Sequence, residues 1–281
     1  MSPAAEELAA DDQDLAQLRL LLRSRAGLEL PAEKAYLVRS RLAGLLAELE
    51  AGSLGELLAA VAHGRDERLA QRVVEALTTN ETSWFRDGAP FEALRTIVLP
   101  ELVRRSAQTG RLAIWSAACS TGQELYSIAM LLDPARFLLP QGTVELVGTD
   151  LHTALVARAA AGRYSAAEVA RGLPPELLAR YFRPVEGGFE VVPALRAITR
   201  FFPLNLAGPW PALPRFDLVL LRNVLIYLAP EVQQAVVAKA AAQLAPGGLL
   251  LLGAAELLLG AASGLRPRLV GGVTFYERVD G

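Results

Sequence analysis

In the stretch "WSAACSTGQELYSIAM", Trp115 to Met130, an acid, Glu124, stands two residues after a single glycine, Gly122. The stretch follows the apolar run Leu112-Ala113-Ile114 and leads into an apolar-periodic segment, the pattern of a strand, a turn of small residues and a helix. A dinucleotide site at such a turn needs backbone close to a pyrophosphate, hence G-x-G-x-x-G. The corresponding positions here are Ala117, Cys119 and Gly122, so nicotinamide or flavin binding is disfavoured. S-adenosylmethionine has no phosphate; it carries a sulfonium and an ammonium. A carboxylate such as Glu124 can pair with that ammonium through a charge-assisted hydrogen bond, or it can simply favour the first turn of its own helix.

Three further stretches carry polar groups at informative places. In "ELVGTDLH", Asp150 ends a predicted strand, where an acid can accept from both hydroxyls of a ribose; it could instead cap a helix beginning at Thr153. In "FDLVLLRNVLIYL", the buried run Phe216–Leu221 ends at Arg222-Asn223, with Tyr227 close behind. Polar residues beyond a buried strand stand where ligands bind, or else cap and pair structurally. In "TTNETSWFRD", Thr78 to Asp87, the polar Asn80, Thr82 and Arg86 lie among Trp84 and Phe85. On physical grounds alone this stretch reads as a linker with aromatic anchors.

The elements that would position these groups fall into two regions. Up to about Leu77 the chain reads as four helices. Leu15, Leu18, Leu21 and Leu22 mark the first, with a stop at Ala26-Gly27. Tyr36, Leu37, Leu42, Leu45, Leu46 and Leu49 mark the second, Ser53 and Glu56 have capping-box spacing for a third, and Arg68–Leu77 makes a fourth. No strand is expected there. After Arg86, short apolar runs alternate with helical patterns. Leu112–Trp115, Val144–Gly148, Phe216–Leu221, Leu249–Leu252 and Val273–Tyr276 read as strands, which predicts an α/β fold with a mostly parallel sheet covered by helices. The last strand follows Gly271-Gly272 too closely for a crossover from a strand near Leu269, so it should be antiparallel to its neighbour. Within Tyr181–Arg200, Gly187-Gly188 between two β-prone runs predicts a small inserted hairpin.

The 281-residue chain is 52% hydrophobic and 21% charged, enough to build a full core rather than a disordered chain. Its formal charge of −2 supplies no global basic field for nucleic acid. The one cysteine, Cys119, forms no intrachain disulfide, which suits a reducing cytosol. With only His63 and His152 beside it, no metal cluster is expected, and no Gly-x-Ser-x-Gly turn appears. The start, MSPAAEELAADDQDLAQ, lacks the basic and apolar regions of a signal peptide, so a cytoplasmic location is expected. Glu256 interrupts the most apolar stretch, which begins at Leu249 after Pro246-Gly247-Gly248. A buried strand and a following segment explain that stretch better than a membrane span.

Taken in order, the four stretches resemble the CheR-type chemotaxis receptor methyltransferases, from about Leu15 to Arg278. The family's Asn-x-Thr-x-Phe-Phe-Arg run is met by Asn80, Thr82, Trp84, Phe85 and Arg86. Its Ser-Thr-Gly-(Glu/Gln)-Glu-Pro-Tyr-Ser turn is met by Ser120, Thr121, Gly122, Gln123, Glu124, Tyr126 and Ser127, and its Arg-Asn-x-x-Ile-Tyr strand end by Arg222 to Tyr227. An Asn-Leu pair after the inserted hairpin is matched by Asn205-Leu206. The resemblance implies a class I methyltransferase (Rossmann-like) sheet over residues 86–281, with a small β-subdomain at about 181–200. It also implies an all-helical N-terminal substrate-docking domain over residues 1–85. The implied cofactor is S-adenosyl-L-methionine, with S-adenosyl-L-homocysteine as product, held by Asn80, Thr82, Arg86, Glu124, Asp150, Asn205, Leu206, Arg222 and Asn223. Arg86 and Tyr227 would lie near the transferring methyl as catalytic residues. The family's proline after the Glu is Leu125 here, and its polar pair before a later Glu is Ala254-Ala255, which lack the polar groups of that pair.

The implied reaction forms glutamate methyl esters on the cytoplasmic helical domain of a chemoreceptor, with no nucleic acid and no membrane insertion. A glutamate is already ionised near neutral pH, so attack on a sulfonium methyl needs no general base; positioning and exclusion of water remain to be supplied. The short hairpin predicts no tether for a receptor C-terminal peptide. Arg19, Arg23, Arg25, Lys34, Arg39 and Arg41 are candidates for a local basic docking face, or an ordinary solvated one. Competing readings are a module that binds S-adenosylmethionine or its product without methyl transfer, and a small-molecule methyltransferase, which would not need the helical docking surface.

Overall fold

The computed structural model describes residues 12–64, 67–139, 143–258 and 264–279. The chain forms two compact units, one of Met1–Thr79 with Tyr227–Val232, the other of Asn80–Ile226 with Gln233–Gly281. Residues 259–263 of the apolar stretch from Leu249, and residues 1–11 of the acidic start, lie outside the described residues. No described helix is long and apolar enough to cross a membrane.

The first unit holds helices α1 (Asp12–Ala26), α2 (Tyr36–Glu48), α3 (Leu54–Gly64) and α4 (Glu67–Leu77). Leu18, Leu22, Leu42, Leu57 and Val73 are buried at its centre. Gly27, at a φ of 65°, ends α1 as expected of a left-handed glycine. Two details depart from the sequence reading. The buried face of α2 runs through Val38, Leu42, Leu45 and Leu46, so two of the residues that marked the helix stand off that face: Tyr36 is 74% exposed, and Leu49, just past the helix end, is 40% exposed. The capping pattern at α3 is offset: the Glu56 N–H donates to Ser53 Oγ at 3.1 Å, but the Glu56 carboxylate takes the Gly52 N–H at 2.7 Å. One isolated antiparallel bridge, Leu28 to Leu228, joins the two pieces of the unit, flanked by N–H donation from Glu29 to Tyr227 O and from Ala229 to Gly27 O.

The structure also narrows the basic face expected on these helices. Arg23 pairs with Glu231 and Arg25 with Glu67. Arg19 donates to Leu30 O, and Arg41 donates to Leu77 O and Thr78 O at the end of α4. Carbonyls at a helix C-terminus lack intrahelical donors, so a guanidinium there is a stabilising cap. Lys34 and Arg39 stay exposed.

In the second unit, α5 (Ala89–Ala93) continues through a π turn, Leu94–Val98, into α6 (Leu99–Thr109). The wide turn ends two residues before Pro100, which cannot donate to the helix ladder. Alternation then begins: β1 (Leu112–Ala117), α7 (Gln123–Leu132), β2 (Val144–Asp150) and α8 (Thr153–Ala161). A small excursion follows, with β3 (Arg163–Tyr164), α9 (Ala166–Ala170), α10 (Pro175–Tyr181), β4 (Phe182–Val185), β5 (Gly188–Val191) and α11 (Pro193–Arg196). The main fold resumes with β6 (Thr199–Pro203), β7 (Phe216–Leu221), α12 (Pro230–Gln243), β8 (Leu244–Leu252), β9 (Leu265–Val270) and β10 (Val273–Arg278).

The main sheet has the order β6-β2-β1-β7-β8-β10-β9. Strands β6, β2, β1, β7 and β8 pair in parallel, and β10 is antiparallel to both β8 and β9. All six residues of β1 are buried, as a strand covered on both faces requires. The expected hairpin is β4–β5, closed by Glu186-Gly187 and joined by β3 into a separate three-stranded sheet. A Cβ on Gly188 would stand 2.1 Å from Tyr164 O, so only glycine admits that third strand. The tail of the Tyr181–Arg200 segment belongs elsewhere: Thr199 opens β6 in the main sheet.

Candidate functional site

The parallel register aligns the strand ends. Ala117 of β1 lies beside Thr149 of β2 and Leu221 of β7, and Leu221 lies beside Leu252 of β8. The chain builds one side of the sheet from β1 through β2 and β6, then opens the other side with β7, so the switch point falls between β1 and β7. A crevice at that point is where open α/β sheets bind ligands.

The turn after β1 uses left-handed backbone at Ala118 (φ 63°), Ser120 (φ 50°) and Gly122 (φ 91°). Two of these carry a Cβ, a strained choice that surrounding bonds must hold. The Cys119 N–H donates to Thr149 O at 2.8 Å, the Ser120 N–H to Asp150 Oδ2 at 2.8 Å, and the Ser120 hydroxyl to Asn80 O at 2.9 Å. Asp150 Oδ1 also accepts the His152 N–H at 2.9 Å. His152 itself occupies the cap position of α8, so Asp150 braces the turn from β1 and is not the helix cap. Burial raises the Asp150 pKa above its ordinary value, opposed by the N–H groups of His152 and Ser120.

Arg222, at the end of β7, has a side chain only 1% exposed. Its Nη1 donates to Glu124 Oε2 at 2.8 Å, and its Nη2 to Asp87 Oδ2 at 2.7 Å and Arg86 O at 3.1 Å, with Phe91 5.5 Å below. The Ser116 hydroxyl completes the set, donating to Glu124 Oε1 at 2.7 Å. One guanidinium thus stands between two carboxylates, leaving a net negative charge. Its Nε is buried with no partner among the described residues. The group binds together β1, α7, β7 and the Asn80–Asp87 segment. That segment is no linker: Trp84 is buried edge-on against Tyr164 and Phe182 and donates its Nε1–H to Glu168 O. Phe85 (φ 48°) and Asp87 (φ 71°) add two more left-handed residues, and Asn223 (φ 58°) another, so strained backbone concentrates in the loops around the strand ends.

Asn205 and Leu206 follow β6, and the Leu204 N–H donates to Asp150 O at 2.9 Å. Asn205 Oδ1 accepts from the Ala207 N–H, and Leu206 O accepts from Trp210 Nε1 and from Lys239 Nζ. Lys239 reaches from α12 over the Trp210 ring, and burial lowers its pKa.

Asn80, Glu124, Asp150, Asn205, Arg222 and Asn223 are therefore gathered by direct bonds or immediate chain neighbours. Arg86 contributes its carbonyl to Arg222, while its own guanidinium turns back to Glu81 O at 2.7 Å. Thr82 is half-buried on the same segment. Tyr227 ends a single 3-10 turn, Leu225–Tyr227, and its carbonyl accepts from Glu29 within the helical unit. Sequence reasoning missed Asp87, Lys239 and above all Glu256, a buried carboxylate bonded to the loop after β7. The hints for Glu256 were its position inside an apolar run and its match to the acid that follows Ala254-Ala255 in the family pattern.

Residues 13–78 match the model of the CheR methyltransferase all-alpha domain, and residues 80–267 match that of the CheR methyltransferase SAM binding domain. The chain is 43% identical over 255 residues to chemotaxis protein methyltransferase 1 of Pseudomonas aeruginosa, covering 89% of this chain and 92% of the relative. It is 41% identical over 257 residues to chemotaxis protein methyltransferase Cher2 of Pseudomonas putida, covering 90% and 93%.

Proposed function

From the premise that the chain belongs to the CheR methyltransferase family, an S-adenosylmethionine-dependent methyltransferase family of chemotaxis, we propose that it forms methyl esters on glutamate side chains of a chemoreceptor's helical domain. The observation that carries this reading is the pair of acids around the one-glycine turn after β1, Asp150 at the end of β2 and Glu124 in the first turn of α7. Their negative field disfavours a diphosphate and favours a cationic nucleoside. The Nε of Arg222 offers a buried donor of the kind that an amino-acid carboxylate satisfies.

When bound, S-adenosylmethionine supplies a methyl group made electrophilic by its sulfonium. Everything else falls to the chain. Asp150 holds ribose hydroxyls. Glu124, kept in place by Arg222 and Ser116, attracts the ammonium. Asn80, Thr82, Asn205, Leu206 and Asn223 complete the pocket. Arg86 leaves Glu81 O to guide an incoming carboxylate without holding it in a tight pair, and the Tyr227 hydroxyl orients one of the reacting groups. No residue needs to act as base, because the acceptor carboxylate is already ionised; alignment and dehydration provide the acceleration.

The test combines calorimetry with S-adenosylmethionine and S-adenosylhomocysteine and transfer of a tritiated methyl group to a purified receptor cytoplasmic fragment. Base-labile label, released as methanol, is expected with the wild-type protein, with transfer lowered tenfold or more in Arg86→Ala, the order general for a lost positioning group. A Tyr227→Phe protein with wild-type turnover would remove that hydroxyl from the reaction. Donor binding without transfer to any receptor fragment would instead favour a binding module.

A further inference from the structure

Strand β8 ends at Leu252, and the chain turns through Gly253-Ala254-Ala255 before the Glu256 side chain re-enters the protein, 6% exposed. Its carboxylate collects five backbone donors. Oε2 accepts from Gly253 and Asn223, both at 2.8 Å, and Oε1 accepts from Val224 at 2.8 Å, Leu225 at 2.7 Å and Ile226 at 3.4 Å. No ion pair to Glu256 occurs among the described residues, so backbone N–H dipoles alone satisfy the buried charge. Such an arrangement is an anion nest, formed because the left-handed Asn223 turns four successive N–H groups onto one point. The fit is close: a Cβ on Gly253 would meet Glu256 Oε2 at 2.7 Å and Asn223 N at 2.8 Å. Ala254 and Ala255 are exposed, so the side chains that differ from the family pattern take no part in the nest.

A buried carboxylate is expensive unless its lone pairs are filled. Held here, it fixes a segment that starts at Arg222-Asn223 and runs directly into Tyr227. We propose that Glu256 is a positioning residue of the methyltransferase site, which clamps Asn223–Ile226 and through that turn sets Asn223 and Arg222 for the methyl donor; this inference rests on the function proposed above. The carboxylate is not itself a nucleophile or base, since its oxygens already accept five hydrogen bonds.

The test uses the full chain with Glu256→Gln, Glu256→Asp and Gly253→Ala. Glutamine keeps the volume but turns an NH2 toward N–H donors; aspartate is one methylene too short to span both sides of the nest. Amide hydrogen exchange is measured without ligand, product affinity by calorimetry, and kcat and donor KM by methyl transfer. Expected for Glu256→Gln is exchange at 223–226 about tenfold faster or more with β1 and β7 unchanged, and product affinity weakened about tenfold, the order of a lost hydrogen-bond set to a charged group. Glu256→Asp should not restore either, and Gly253→Ala should reproduce both. Wild-type exchange at 223–226 and wild-type affinity in Glu256→Gln would overturn the inference, as would exchange that quickens throughout the α/β unit alike. Should the Glu256 variants not fold, Gly253→Ala decides by the same readouts. A wild-type protein that binds neither donor nor product overturns the proposed function; one that binds both, beside a Glu256→Gln protein that binds equally well, overturns only the role of Glu256.

Discussion

At the residue scale, the Arg222 guanidinium and the Asp150 carboxylate carry the largest electrostatic stakes. Arg222 is buried between Glu124 and Asp87, and removing one partner of such a set leaves uncompensated charge. Asp150 has the opposite problem: no ion pair to it occurs among the described residues, and burial lifts its pKa. The sign follows from linkage. A carboxyl whose folded pKa is raised adds stability below the ordinary carboxylate range and loses that contribution as pH rises through its folded value. Ribose hydroxyls favour the ionised acceptor, so the ligand gains as the free protein loses. The rise in Tm produced by S-adenosylhomocysteine should therefore be full near neutrality and shrink as pH falls toward the carboxylate range, starting on the alkaline side of an ordinary aspartate. In Asp150→Asn the rise should be small and nearly flat across that window. Calorimetric scans of both proteins with and without product check it, and an identical pH profile in the two would remove Asp150 from ribose binding.

At the scale of elements, most helices and strands follow from periodic burial, and the exceptions have local causes. Strand β9 carries Arg266, Pro267 and Arg268 because it is the sheet edge, where charge and proline block further pairing. Helix α2 contains Gly44 at an exposed position, and a Cβ there meets nothing within 4 Å. Glycine inside a helix is entropically unfavourable without bringing any contact here. Gly44→Ala is expected to stabilise the helical unit by about 0.5–1 kcal/mol, read as a higher denaturant midpoint at unchanged slope, with product affinity unaffected.

At the scale of the whole molecule, a formal charge of −2 hides unequal local use of charge. Of the six cations expected to form a docking face, four are bonded within the helical unit, and Lys34 and Arg39 remain exposed beside Tyr36. An acidic receptor helix would meet a small patch and not a broad field. Affinity for a receptor fragment should consequently fall with added salt, but with the shallow slope of about two contacts. Titration calorimetry across a salt series, with Lys34→Gln/Arg39→Gln as comparison, measures this. Salt-independent affinity, or an unchanged slope in the double variant, would move the docking surface elsewhere.

The sequence alone determined the parts that depend on near neighbours. The buried runs of β1, β2 and β7, the one-glycine turn before Glu124 and the acid at the end of β2 are local patterns, and local pattern specifies element type and which side chains stand at a strand's end. Only the tertiary structure decided what those side chains touch. Arg222 meets Glu124 across 98 residues, Arg23 meets Glu231 across 208, and Glu256 meets Asn223 across 33. Hydrogen bonds and ion pairs act over a few ångströms of space. Chain separation sets no limit on them, so the charge balance of the crevice and the nest around Glu256 exist only once parallel strands have brought their ends to one edge.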